Sequence, residues 1–152
     1  MTHTFLMNAG RWTFQGHWLE RDQEPQTIKG KIIVVWSDDH WFTMVSKVVF
    51  AGPSGQAPLP DLILKYRGRL NDQAQHYTFV LKHSQLGAVE GEGWAAPASI
   101  IQRFWSLDDR QRRSGFEAIH RVSDDRYLLS SSIMAGHQLL STLEATLDRQ
   151  PS

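Results

Sequence analysis

Apolar and polar residues alternate with a period of two along most of the chain. One face collects Trp12, Phe14, Gly16 and Trp18, then Ile28, Gly30, Ile32, Val34 and Trp36, with Lys29 and Lys31 opposite. The pattern continues as Phe42, Met44, Ser46, Val48 and Phe50, then as Leu62, Leu64, Tyr66, Gly68 and Leu70 against Lys65, Arg67 and Arg69. Tyr77, Phe79, Leu81 and His83 follow. Successive side chains of a strand point to opposite faces, so this period predicts strands with one buried and one wet face. The interruptions carry turn residues: Ser37-Asp38-Asp39-His40, Asn71-Asp72-Gln73, Ser123-Asp124-Asp125 and Ala135-Gly136. Further strands are predicted at 87–94, weakened by its glycines, and at 100–105 and 116–122 across an Arg-rich loop. Residues 127–134 and 137–149 form a final hairpin, and 52–60, rich in Gly and Pro, is a loop.

About ten strands in meander order result. Such a meander can hide its apolar face by stacking two sheets or by closing on itself, and closure alone removes the edges. Several bulky aromatics per strand suit a wide interior. Gly16, Gly30 and Gly68 on the apolar face would let curved strands pass at barrel corners. The links are shorter than Greek-key crossings require. The expected fold is all-β: one domain over 1–152, a closed antiparallel up-and-down barrel of 8–10 strands with at most short helical turns.

At 152 residues one domain is expected, with a core large enough to need no staple. Sixteen basic and sixteen acidic residues give no net charge, which removes the general attraction to nucleic acid or an anionic membrane. The lack of cysteine excludes thiol catalysis, zinc–thiolate sites and disulfides, and fits a reducing compartment. Residues 1–6 have neither the basic start nor the apolar stretch of a secretory signal. No apolar run approaches the roughly 18 residues of a membrane span. A cytoplasmic protein is expected, with no membrane insertion and no nucleic-acid partner; a homodimer is left open.

The opening Gly10-Arg11-Trp12 and the closing Arg149 give the chain a resemblance to the calycin superfamily of lipocalins and fatty-acid-binding proteins. The resemblance implies that Trp12 and Arg149 form a structural signature. Trp12 would pack across the barrel floor against Arg149 in a cation–π contact of about 0.5–2 kcal/mol. It also implies an interior binding cavity. The later lipocalin motifs are absent, and 20–26 is too short for the helical lid of fatty-acid-binding proteins. The likeness is therefore to the fold. S-type phycobiliprotein lyases and nitrobindins are barrels of similar size, and their functional residues do not match this chain one by one.

Of the seven histidines, no two have a metal-ligand spacing on one element, so neither a metal nor a cofactor is expected. His83 and His120 share faces with Phe79, Leu81, Phe116 and Ala118 and could point inward; a hydrogen-bonded histidine at the barrel rim is the favoured reading of each, ahead of a haem or proton-transfer role. Glu90 and Glu92 share a face, about 7 Å apart. Facing inward they would suit acid–base work; facing outward, the favoured arrangement, they avoid burying charge. Glu117 is expected outside, together with Ile119 and Arg121. Arg103 is a candidate polar anchor, and Arg110, Arg112 and Arg113 read as a solvated loop.

No phosphate loop, nucleophile elbow or catalytic triad is found. The candidate ligand-binding residues are Phe14, Trp18, Trp36, Met44, Ser46, Tyr66, Phe79, His83, Arg103 and His120. The function they suggest is holding a small hydrophobic or amphipathic molecule in the barrel. Two alternatives stand beside it. One is a lyase or isomerase on the same barrel, using His83 or His120 with a carboxylate. The other is an interaction or structural barrel with a filled core. A cavity of about 300 Å³ or more separates the first reading from the last.

Overall fold

The structure, a computed structural model, describes residues 3–52 and 59–151. Most of the predicted loop at 52–60 lies outside the described residues. Ten strands run in sequence: β1 (Gly10–Glu20), β2 (Gln26–Trp36), β3 (Trp41–Ala51), β4 (Leu62–Leu70), β5 (His76–His83), β6 (Gly87–Ala95), β7 (Ser99–Ser106), β8 (Arg113–Ser123), β9 (Arg126–Ala135) and β10 (Gln138–Arg149). Each pairs antiparallel with the next, and β1 pairs with β10 to close the barrel. The described residues contain no helix; the N-terminal segment forms only turns.

The interior is built on a repeated cross-strand device. Phe14 is opposite Gly30, Phe42 opposite Gly68, Phe79 and Tyr77 opposite Gly91 and Gly93, and Phe104 opposite Gly115. In each pair the ring lies across the space a side chain on the facing glycine would fill; a Cβ there would overlap it. The glycines that make β6 look weak are thus seats for rings from β5. Gly16 is a different case. A Cβ there would run into the backbone of Glu144 and Ala145 on β10, so close approach of the closing strands requires glycine.

One end of the barrel, the floor, is sealed by the N-terminal segment. His3 Nε2 donates to the Ala96 carbonyl at 2.6 Å, which leaves Nδ1 to take the Tyr127 hydroxyl at 2.9 Å. Trp36 Nε1 donates to the Leu6 carbonyl at 2.8 Å. Phe5 and Tyr127 meet the Trp12 ring edge-on, at centroid distances of 5.3 and 5.6 Å. At the other end Trp18 packs edge-on against Phe50, at 5.3 Å.

Trp12 and Arg149 are direct register partners, as a floor pair requires. The expected cation–π stack is corrected, however: Arg149 is exposed, and the cation–π contacts among the described residues are Arg67 on Trp41 and Arg103 on Trp105. The N-terminal segment occupies the place of the guanidinium, covering Trp12 with Phe5. Trp12→Ala should therefore cost about 3–5 kcal/mol in urea unfolding, as for a large core aromatic. Arg149→Ala should cost under about 1 kcal/mol, and the two changes should be additive. Gly16→Ala, opposed by backbone, should destabilise more than Gly93→Ala, which is opposed by the Tyr77 ring. Equal losses at the two glycines would contradict the tight β1–β10 approach.

Candidate functional site

The barrel encloses a chamber of about 80 Å³. Of the ten candidate ligand-binding residues, Phe14, Trp18, Met44, Ser46, Tyr66 and His83 line it. Phe79 is buried but spends its ring on Gly91 and Tyr66. Trp36 belongs to the floor, bonded to Leu6 and packed on Phe42. Arg103, the candidate polar anchor, and His120 stand exposed on the outer face, away from the chamber, and are corrected as ligand-binding candidates. The Arg103 guanidinium lies over Trp105 at 5.2 Å and reaches Glu92 at 3.5 Å.

The reversal at His120 comes from the parity of β8. Gly115 and Ile119 face the interior and Phe116 is 50% exposed, the opposite of the expectation from Phe116 and Ala118. Glu117 therefore enters the barrel, where it lines the chamber, and the expectation that it lies outside is corrected. Gln102 of β7, its register partner, is buried, and Glu117 itself is half-buried with its carboxyl turned to the chamber. The signal available for this placement was Gly115, which needs an aromatic such as Phe104 across from it.

These residues form a line of hydrogen bonds across the interior. The Tyr77 hydroxyl donates to Gln102 Oε1 at 2.5 Å, and Gln102 Nε2 donates to Glu117 Oε1 at 2.6 Å. Ser131 of β9, the register partner of Glu117 on its other side, lines the same chamber. Burial raises the Glu117 pKa above the ordinary glutamate value, against the opposing pull of Gln102 and Ser131 beside it. Burial, then the Glu117 charge, raises the Tyr66 and Tyr77 hydroxyls, so both stay protonated donors. The result is a carboxyl group on a chamber wall that mixes apolar side chains with Ser46, Tyr66, His83 and Gln102.

His83 is held in one form. Its Nδ1 accepts the backbone N–H groups of Gln85 and Leu86, both at 3.1 Å. The proton of the neutral ring therefore sits on Nε2. Burial first, and the Arg113 charge second, lower its pKa to about 4. Arg113 is itself bound to Asp109, at 2.7 Å, so the arginine-rich loop is partly neutralised by its own acid. Glu90 and Glu92 face outward, with Val89, Gly91 and Gly93 inside. Glu92 lies between His76, at 3.8 Å, and Arg103. Among the described residues no group of three or more His, Asp or Glu side chains could hold a metal ion.

A closed, ten-stranded antiparallel meander with a central chamber is a lipocalin-like barrel. No protein-family model matches the sequence, and no curated protein matches it. Two solved structures share the architecture. Rv2717c from M. tuberculosis superposes with a TM-score of 0.66 at 15% identity, covering 94% of this chain and 92% of that one. The S-type phycobiliprotein lyase CPES from Guillardia theta gives 0.60 at 14% identity, covering 95% of this chain and 89% of that one. At these identities the likeness is one of fold. It fits the calycin-like resemblance of the sequence and carries no site residue across.

The state of His83 has a pH consequence. A histidine near 6.5 when unfolded but near 4 when folded leaves the unfolded chain holding more protons between those values. Stability is then full above pH 6.5 and is lost on acidification toward pH 4, by about 3 kcal/mol from this group. His83→Asn keeps an acceptor near the Nδ1 position without the titration. Urea unfolding at several pH values should show the wild type losing stability relative to this variant between pH 6.5 and 4. Parallel curves would contradict the assignment.

Proposed function

We propose that the barrel holds a small molecule with one polar group in its inner chamber. The polar group meets Glu117, and the apolar part lies among Phe14, Ile32 and Met44. The observation that carries this reading is the Glu117 carboxyl that lines the chamber at the end of the Tyr77–Gln102 line. A barrel filled only for stability would do as well or better with apolar residues there, because a buried ionisable group has a desolvation cost that packing does not return. Perturbed carboxyl groups in cavities are candidates for function.

The chamber also limits the ligand. About 80 Å³ is well below the roughly 300 Å³ set for a ligand cavity, so on volume alone the chamber sides with the filled-core alternative and not with a drug-sized ligand. Fatty acids, retinoids and tetrapyrroles do not fit it in this form. The occupant has few heavy atoms, or enters as the flexible Met44 and the ring of Trp18 move aside. A second reading, proton transfer on the bound molecule, is favoured by one specific observation: the neutral imidazole of His83 and the carboxyl of Glu117 line the same chamber.

The test is native mass spectrometry of freshly purified protein, joined to tryptophan emission during titration with short-chain acids, amines and alcohols. Trp18 in the wall supplies the signal. A retained small mass, or a saturable emission change, is expected for the wild type. Glu117→Leu should abolish it while leaving the β circular dichroism intact. A protein that carries no small molecule and answers to none of these probes is a filled barrel, and the reading fails.

A further inference from the structure

Zero net charge is a sum over the chain, and the barrel distributes it unevenly. All five lysines, Lys29, Lys31, Lys47, Lys65 and Lys82, lie on the outer face of four consecutive strands, β2 to β5. Arg67 and Arg69 of β4 join them, and no acidic residue shares the outer face of these strands. Asp61, just before β4, reaches Lys47 at 3.7 Å. The other nearby acids stand at the margins: Asp38 and Asp39 in the β2–β3 turn, Asp72 in the β4–β5 turn and Glu90 on β6. The basic side chains thus lie together on the sheet face itself, while the acids beside them stand in turns or on the neighbouring strand.

The register sharpens the point. Lys31 is directly opposite Lys47, and Lys65 directly opposite Lys82. Like charges facing each other across strands are destabilising. Fold stability gives no reason for two such pairs, whereas an anionic partner does. Lys29, Lys31 and Lys47 also border a surface hollow of about 540 Å³. Asp148, on its far side, is bonded to Arg126 at 2.8 Å. Between the cations stand exposed branched side chains, Ile33, Val35, Val45, Val49, Ile63 and Val80.

We infer that the β2–β5 face docks the barrel on an anionic lipid bilayer, the lysines meeting headgroup phosphates and the branched side chains resting in the interfacial layer. The residue types select lipid over other polyanions. Protein interfaces are depleted in lysine and enriched in aromatics and arginine; this face carries all five lysines against two arginines and one aromatic, Trp41, at its edge. Proteins that hold single-stranded nucleic acid offer aromatic rings for bases to stack on. Trp41, at the edge of this face, is already covered by the Arg67 guanidinium at 4.7 Å. Lysine stems lie along apolar surface while their ammonium groups reach the headgroups.

The experiment is co-sedimentation of the full chain with phosphatidylcholine vesicles, with and without phosphatidylglycerol. Binding is expected only with phosphatidylglycerol, and should weaken as salt rises through roughly 0.1 M, where the screening length is about 10 Å. Each lysine near the surface contributes roughly a factor of five. Lys65→Gln/Lys82→Gln should thus weaken binding by roughly 30-fold, and Lys31→Glu/Lys47→Glu by more. All four positions are exposed, so circular dichroism should be unchanged. Arg126→Glu, on β9, should bind as the wild type does. The inference is overturned by equal sedimentation with both vesicles or with neither, by lysine variants that bind normally, or by an equal loss with Arg126→Glu. Displacement from the vesicles by a single-stranded oligonucleotide at matched phosphate concentration would overturn it in favour of nucleic acid.

Discussion

Five aromatic rings laid across five facing glycines decide how much room the barrel has and which way its strands face. Phe14, Phe42, Tyr77, Phe79 and Phe104 each occupy the space of two side chains, their own and the one the opposite glycine lacks. A one-residue slip would turn a ring to solvent and set a Cβ-bearing residue where the ring must lie, so the pairs hold the register as well as the volume. They also leave little space over. The interior closes down to about 80 Å³ although ten strands could enclose far more.

What the rings leave is the polar line from Tyr77 through Gln102 to Glu117. It crosses β5, β7 and β8, with Ser131 of β9 beside its end. Its parity follows from the ring–glycine pairs. Phe104 over Gly115 fixes β7 against β8, and the same register sets Gln102 beside Glu117. The packing that empties the interior of small side chains thereby carries a carboxyl group into it. The floor, with Trp12 under Phe5 and Tyr127, seals the chamber from below and takes no part in its chemistry.

The first five strands were legible in the sequence because their inward positions are nearly all apolar and their outward ones nearly all polar or branched. Closure was legible from the two ends, and Trp12 does face Arg149 in register. The contact between them was not, because a distant segment, residues 3–9, competes for the same indole. On β8 the pattern misled. Phe116, Ala118 and His120 form the more apolar set, yet they face out, because Gly115 must lie under Phe104 and Ile119 must meet Ile100. A strand's own residues do not show which ring its neighbour will lay across it. The charge sum is silent on distribution: zero describes the chain, while the lysines gather along strands that only the barrel brings together.

The placement of Glu117 is the claim on which the site rests, and its own titration reads it directly. Carbon-detected NMR of the Glu117 carboxyl across pH should give a midpoint above the ordinary glutamate value of about 4.3, because the group is buried. The same titration in Gln102→Leu should move the midpoint higher still, since the hydrogen bond that favours the charged form is gone. A Glu117 that titrates with the surface glutamates, and is indifferent to Gln102, would place it outside the barrel and contradict the account.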